Sequence, residues 1–326
     1  MRITVLSGGI GGARFIEGLK AALGPDDEIT VIANTADDIW LFGLRICPDL
    51  DTVMYTLGNG IDPERRWGRT DESWQVKEEL AAYGAEPTWF GLGDRDLATH
   101  IIRTQMLHEG KTLSQATARL TQRWDTGVTL LPMSDDFVET HIAIDGDSGR
   151  EVIHFQEYWI RLRASVPVRE VIAQGAETAA PAPGVVEAIL GADVVILPPS
   201  NPIVSVGTIL SVRGIRDAVL ATKAPVVGVS PIIGAGAVRG MADQLLQGLG
   251  IEISAASVGL HYGSRRDGGV LDAWLVDTAD AGAVATLEAA GVAAEAVPLY
   301  MNDAVTTRQL AVDTLSLARR IGAPAH

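Results

Sequence analysis

The opening residues of the chain leave few folds open. Residues 2–6, Arg-Ile-Thr-Val-Leu, are a short apolar run with β-branched members that stops at Ser7-Gly8-Gly9. Such a run, bounded by glycine, predicts a buried strand. Over residues 13–23 the apolar side chains Phe15, Ile16, Leu19 and Leu23 recur at helical spacing, and residues 28–33 predict a second buried strand. Strand, glycine loop, helix and strand in that order predict an α/β fold with a parallel sheet.

The loop has its own chemistry. Gly8, Gly9, Gly11 and Gly12 let a ligand approach the main chain, and amides at a helix start attract anionic oxygens. Phosphate binding is one reading of it; glycine kept for packing is the other. The dinucleotide fingerprint fails, because Arg14 stands at its third glycine position and Asn34 where an acid would hold a ribose. The phosphate loop G-x-x-x-x-G-K-[ST] is absent, as is the Gly-x-Ser-x-Gly elbow of acyl hydrolases.

Carboxylates gather next. Asp37 and Asp38 follow the second strand, and Asp49 and Asp51 follow Cys47-Pro48. If the two loops converge, the like charges repel unless a cation sits between them. Oxygen-only ligands suit Mg²⁺. Glycine loop, acids and the arginines at 65, 66 and 69 together fit metal-assisted phosphoryl transfer, with an aspartate aligning or deprotonating a hydroxyl. A second charged cluster, Gly93-Asp94-Arg95-Asp96, comes after Trp89-Phe90-Gly91-Leu92. Reading the latter as a strand puts the cluster at a strand-to-helix turn, the ligand edge of a parallel sheet. Leu97, Ile101 and Met106 predict a partly apolar face on the helix that follows. Ser200-Asn201, between prolines after the buried run at 194–197, forms a stiff turn able to bond a base or a phosphate.

Composition removes several classes. Lys plus Arg number 26 against 41 for Asp plus Glu, a net charge of −15. That balance argues against a nucleic-acid partner. With one cysteine, Cys47, no disulfide forms within the chain, as expected in a reducing cytoplasm. No apolar run is long enough for a membrane span, and with Met1 leading straight into the first strand no signal peptide is expected. The 326 residues are expected to form one domain, with residues 67–163 as an inserted, mostly helical lid.

Taken together the motifs resemble the 2-phospho-L-lactate transferase family. Those that carry the resemblance are Ser7-Gly8-Gly9, Asn34-Thr35-Ala36-Asp37-Asp38, Cys47-Pro48-Asp49-Leu50-Asp51-Thr52-Val53, the stretch from Trp89 to His100, Pro132-Met133-Ser134-Asp135-Asp136, Phe155-Gln156-Glu157-Tyr158-Trp159 and Ser200-Asn201-Pro202. The resemblance implies a Rossmann-like fold with a helical insertion, usually dimeric. It implies Mg²⁺-dependent transfer of a phospho-acid group from a guanosine diphosphate-linked donor to the ribityl hydroxyl of the deazaflavin Fo, in coenzyme F420 synthesis. Asp37 and Asp51 would then be the catalytic, metal-holding pair, with Asp38 and Asp49 close by. The substrate-binding set would comprise Gly8, Gly9, Gly11, Gly12, Asn34, Asp49, Asp51, Asp94, Arg95, Thr99, Ser200 and Asn201. The start Gly8-Gly9-Ile10-Gly11-Gly12-Ala13-Arg14 is similar to that of actinobacterial members, which implies an enolpyruvyl rather than a lactyl donor. The rival is a regulatory protein of the same fold that binds a nucleotide sugar without turnover.

Overall fold

Seven parallel strands carry the site on one edge. The computed structural model describes residues 1–146, 149–238 and 240–322. The first half runs β1 (Arg2–Ser7), α1 (Ile10–Ala22), β2 (Glu28–Ala33), a hairpin of β3 (Ile39–Leu41) and β4 (Leu44–Ile46), then α2 (Pro48–Leu57). Helices α3 (Gln75–Ala82), α4 (Asp94–His108) and α5 (Leu113–Thr121) follow, and β5 (Thr129–Pro132) returns to the sheet. Thr112 starts α5 with a reciprocal cap: its hydroxyl accepts from the Gln115 amide, and the Gln115 side chain accepts from the Thr112 amide. Next come β6 (Glu139–Gly146), β7 (Gly149–His154), a π-helical turn at Glu157–Arg161, and β8 (Val168–Gln174). The second half is α6 (Val185–Leu190), β9 (Val194–Leu197), α7 (Val206–Ser211), α8 (Ile215–Ala221), β10 (Val226–Val229), the short pair β11 (Ile232–Ile233) and β12 (Gly236–Ala237), α9 (Ala242–Gly248), α10 (Ala255–Tyr262), β13 (Ala273–Val276), α11 (Ala283–Ala289), β14 (Ala293–Ala296) and α12 (Ala304–Gly322).

The sheet order is β14-β13-β10-β9-β1-β2-β5, and every pairing is parallel. The chain winds outward from β1 through β2 to β5, then returns to the other side of β1 with β9. Strand order therefore reverses between β1 and β9, and the crevice above their carboxyl ends is where such folds bind ligands. Alternating side chains supply two cores. Leu6, Ile32, Val195 and Trp274 pack under α6, α7, α8 and α10, whereas Val5, Val31, Ile196 and Leu275 pack under α1, α2 and α12. Each fully buried Leu or Val adds about 1.5–3 kcal/mol, so the two-faced burial anchors the strand ends firmly.

Residues 67–163 divide into two parts. The helices α3–α5 come first; after β5, strands β7-β6-β8 form a separate antiparallel sheet whose apolar face meets α9 at Leu245. Two local expectations fail. Trp89-Phe90-Gly91-Leu92 is a loop, not a strand. Leu92 packs with Leu41, Ile46 and Leu97 away from the main sheet, and three apolar side chains between Pro87 and Gly93 do not distinguish a packed loop from a strand. The cluster that follows is thus a loop-to-helix junction outside the sheet edge. On α4 the buried face is polar: Thr99, His100, Arg103 and Thr104 join Leu97 inside, while Ile101 and Ile102 are 50% and 45% exposed. Pairing of Arg103 with a buried carboxylate, described below, sets that orientation against the apolar pattern.

Candidate active site at the strand switch point

Three loops meet above β1 and β9. The Gly8 amide donates to Ser200 Oγ at 3.1 Å, tying the glycine loop to the turn after β9. A Cβ on Gly12 would overlap Ser7 Oγ and Ser200 Oγ, and one on Gly9 would overlap Asp49 Oδ1. Glycine is required at both positions by the approach of these side chains. Asn201 turns the chain into α7, its Oδ1 accepting from the Ile203 and Val204 amides at 2.9 and 3.2 Å. Asn34, fully buried, donates to Asp49 Oδ2 at 3.0 Å and accepts from the Ala36 amide at 3.1 Å. So Gly8, Gly9, Gly11, Gly12, Asn34, Asp49, Ser200 and Asn201 share one crevice.

Asp37 and Asp38 are buried on the adjoining loop. Two side chains at the end of β7 and just after it fix that loop. Gln156 Nε2 donates to the Asp37 carbonyl at 3.0 Å. His154 Nδ1 accepts from the Gln156 amide at 3.0 Å, so its proton lies on Nε2, which faces the Asp38 carbonyl at 3.3 Å. Burial lowers the His154 pKa and keeps the ring neutral. Asp37 Oδ1 has no hydrogen-bond partner. Burial, then the charges of Asp49 and Asp38, hold its carboxyl well above the usual range, against help from Asn34 and Thr140. Burial also pushes Asp49 up to about 6, opposed by the Asn34 side chain and the Gly9 amide. Asp38 is pushed up to about 7 by burial, with Arg45 as its main counter-charge at 3.4 Å. Cys47 is fully buried, and burial drives its thiol far above the ordinary value.

Asp51 belongs to a second group. Arg103, 1% exposed, grips it with both terminal nitrogens, Nη1 reaching Oδ2 at 3.1 Å. His100 Nδ1 lies 3.6 Å from Asp51 Oδ2, and its Nε2 lies 3.5 Å from Asp96 Oδ2. Tyr55 donates to Asp96 Oδ1 at 2.6 Å with Thr99 Oγ1 at 2.7 Å. Burial raises the Asp51 pKa while Arg103 and His100 oppose it; for Asp96 burial is outweighed by His100 and Tyr55, and its pKa falls. Thr99 therefore sits in this group, but Asp94 and Arg95 stand outside both. Asp94 caps α3, accepting from Ser73 Oγ and the Gln75 and Val76 amides at 2.7–3.1 Å. Arg95 is exposed, bonded to the Thr70 carbonyl at 3.1 Å and 3.7 Å from Asp71.

Sequence reasoning missed Tyr55, His100, Arg103, His154 and Gln156 as members of the site and named Asp96 only within the charged cluster at the start of α4. The readable signal was on α4: Asp96, Thr99, His100 and Arg103 recur at i, i+3, i+4 and i+7, one helical face. A cavity of about 480 Å³ lined by Lys223, Arg265 and Asp272 lies at the opposite, amino-terminal edge of the sheet, away from these groups.

A cation fits the first group. Asp37 offers an orphaned buried oxygen, Asp49 is its principal charged neighbour, and among the described residues no basic side chain forms an ion pair with either. Asp51 is already compensated by Arg103. Above pH 6 the folded state carries Asp49 ionised at a cost that the unfolded state, with a pKa near 4, does not bear. Its contribution is therefore lost as pH rises from about 4 through 6. Asp49→Asn is expected to match the wild type in stability at pH 4 and to exceed it by about 2–3 kcal/mol at pH 8 without divalent metal. Mg²⁺ should raise the wild-type melting temperature at pH 8 and leave the variant's almost unchanged. Urea unfolding at both pH values and thermal shifts with MgCl₂ check this; a variant less stable at pH 8 contradicts it.

Among the described residues no helix is long and apolar enough to cross a membrane. The chain is similar over its fold to BH3568 of Bacillus halodurans, described as a member of the upf0052 family, with a TM-score of 0.61, 18% identity, and 96% and 99% of the two chains covered. It is 62% identical to a phosphoenolpyruvate transferase of Streptomyces griseus over 99% of this chain and all of that one. A phosphoenolpyruvate transferase of Nocardia farcinica is 52% identical over 97% of this chain and 95% of its own. Residues 3–316 match the family described as 2-phospho-L-lactate transferase CofD. With the Rossmann-like parallel sheet, the crevice at its switch point and near-complete coverage by both comparisons, the chain belongs to the 2-phospho-L-lactate transferase CofD family.

Proposed function

We propose that the protein transfers a phosphoenolpyruvyl group from a guanosine diphosphate-linked donor to the terminal ribityl hydroxyl of the deazaflavin Fo, releasing GMP, in coenzyme F420 synthesis. One observation carries the reading. The glycine loop and Ser200 turn at the strand switch point share their crevice with a buried carboxylate pair that no basic side chain among the described residues pairs with. Relatives named phosphoenolpyruvate transferase, 52–62% identical over nearly the whole chain, support the enolpyruvyl rather than the lactyl donor.

In this reading the glycine-loop amides and Ser200-Asn201 hold the guanosine diphosphate part. Asp37 and Asp49 would hold Mg²⁺, with Asp51 joining them where Arg103 leaves a lone pair free. Mg²⁺ supplies charge neutralisation on the phosphate oxygens. The ribityl oxygen attacks the phosphorus that bears the enolpyruvyl group. A new O–P bond forms, the bridging bond to GMP breaks, and the hydroxyl proton leaves for a carboxylate. Asp51 suits that role: burial raises its basicity, and Arg103 and His100 fix its orientation. Catalysis is then mostly alignment and electrostatics, so no activated nucleophile is needed.

The test is titration of Fo by its visible absorbance into the purified protein with Mg²⁺, with and without GDP. Saturable binding strengthened by GDP is expected, followed by dehydro-F420-0 formation with an enolpyruvyl donor. Absence of Fo binding by a folded protein would transfer the assignment to the nucleotide-sugar regulator. A homodimer in a cytoplasmic setting is part of the same reading, checked by light scattering.

A further inference from the structure

Among the described residues Arg69 is a buried cation without a counter-ion. It is 7% exposed, its Nε has no hydrogen-bond partner, and its guanidinium makes no ion pair among the described residues. Its burial contrasts with that of Arg103 and Arg45, which meet Asp51 and Asp38, and Arg65, which meets Asp62 at 2.8 Å. Two rings hold it instead. The guanidinium carbon lies 4.4 Å from the Trp124 ring centroid and 5.2 Å from that of Tyr55, and those rings are 5.1 Å apart. Trp124 lies against Gly58 and Gly60, where any Cβ would collide with its ring. The backbone is pinned as well: the Thr70 amide donates to the Gly60 carbonyl at 3.0 Å, Ile61 bridges Arg69, and Arg65 Nη2 donates to the Arg69 carbonyl at 3.3 Å.

A cation removed from water costs several kcal/mol unless compensated, and ring contacts return only about 0.5–2. With the ring centroids only 5.1 Å from each other, both rings lie to one side of the guanidinium; its other side meets no counter-charge among the described residues, and an oxyanion held through parallel N–H bonds would supply one. The Tyr55 ring against Arg69 carries the hydroxyl that bonds Asp96 and Thr99, so Arg69 lies one side chain away from that carboxylate group. In a chain of net charge −15, an anionic substrate needs a built positive receptor at the crevice.

We propose that Arg69, packed against Tyr55 and Trp124, receives an oxyanion of the donor. The choice of donor rests on the transferase reading; the anion site itself does not. Binding of GDP, GMP, guanosine, phosphoenolpyruvate and inorganic phosphate is measured by calorimetry and by tryptophan fluorescence, which Trp124 makes sensitive to Arg69. Wild type, Arg69→Gln and Arg69→Lys are compared. The expected result is at least a tenfold weakening of anion binding in Arg69→Gln, a smaller loss in Arg69→Lys, and unchanged guanosine binding. Loss of the preference for GDP over GMP assigns the contact to the terminal phosphate. Loss of the preference for phosphoenolpyruvate over phosphate assigns it to the carboxylate. Unchanged anion affinities in folded Arg69→Gln overturn the proposal, as does a wild type that binds none of the anions. If Arg69→Gln does not fold, unchanged affinities in Arg69→Lys overturn it. Fo is absent from the titration, so failure of the transferase reading registers separately.

Discussion

Arg103→Met is expected to cost about 3–5 kcal/mol of stability at pH 8. The side chain is buried against Asp51, and methionine fills most of the space while removing both hydrogen bonds to the carboxylate. An ionised Asp51 left behind would have only His100 opposing its desolvation. The cost has a ceiling, because the carboxyl can take up a proton. Without Arg103 its pKa rises further, so the loss shrinks as pH falls and should be small near pH 5. Adding Asp51→Leu should restore most of the lost stability, since a buried ion pair is often replaceable by apolar side chains although breaking it is costly. Urea midpoints of the two single variants and the double variant at pH 5 and 8 form the cycle. A pH-independent loss, or a double variant no more stable than Arg103→Met, would show that packing rather than charge holds this helix.

The same pair explains how much of the molecule its sequence disclosed. Strands β1, β2 and β9 were legible to within a residue or two, because each is a continuous apolar run stopped by glycine, proline or a polar turn. β14 was not: Ala-Ala-Glu-Ala has little strand propensity and owes its pairing to β13 alongside it. Strand β8 and the β3–β4 hairpin were overlooked for the same reason, since their partners decide them. Asp37, Asp49 and Asp51 were legible as charge placed after a buried strand. Their division into an uncompensated pair and an arginine-bound residue was not, because Arg103 lies 52 residues from Asp51 and Gln156 lies 119 from Asp37. Helix α4 was misread by weighing only its apolar residues. Its inward face is polar because the site needs a counter-charge there, a tertiary demand that overrides amphipathic pattern.

Asp37→Asn should separate catalysis from stability more sharply than any other change at the site. The Asp37 backbone is fixed from behind by Gln156 and His154 through its own carbonyl and that of Asp38, so the loop does not depend on the carboxylate's charge. Its Oδ1 lacks a partner, and burial with Asp49 and Asp38 disfavours its ionised form. Asparagine keeps the shape, can still accept from Asn34 and removes that unfavourable charge. Stability at pH 8 should therefore hold or rise. Turnover should fall by about 10²–10³-fold or more, the scale on which one electrostatic contact to a transferring group acts, and Mg²⁺ binding should weaken with it. Calorimetric Mg²⁺ titration, urea unfolding and product formation at saturating Fo give the three readouts. Turnover within tenfold of wild type in a folded Asp37→Asn protein would remove Asp37 from the metal site and leave Asp49 with Asp51 as the remaining pair. Lost turnover with lost stability would make the residue a structural support instead. The predicted pattern, activity lost while the fold is retained or strengthened, belongs to a carboxylate kept in an unfavourable setting for a cation it is built to meet.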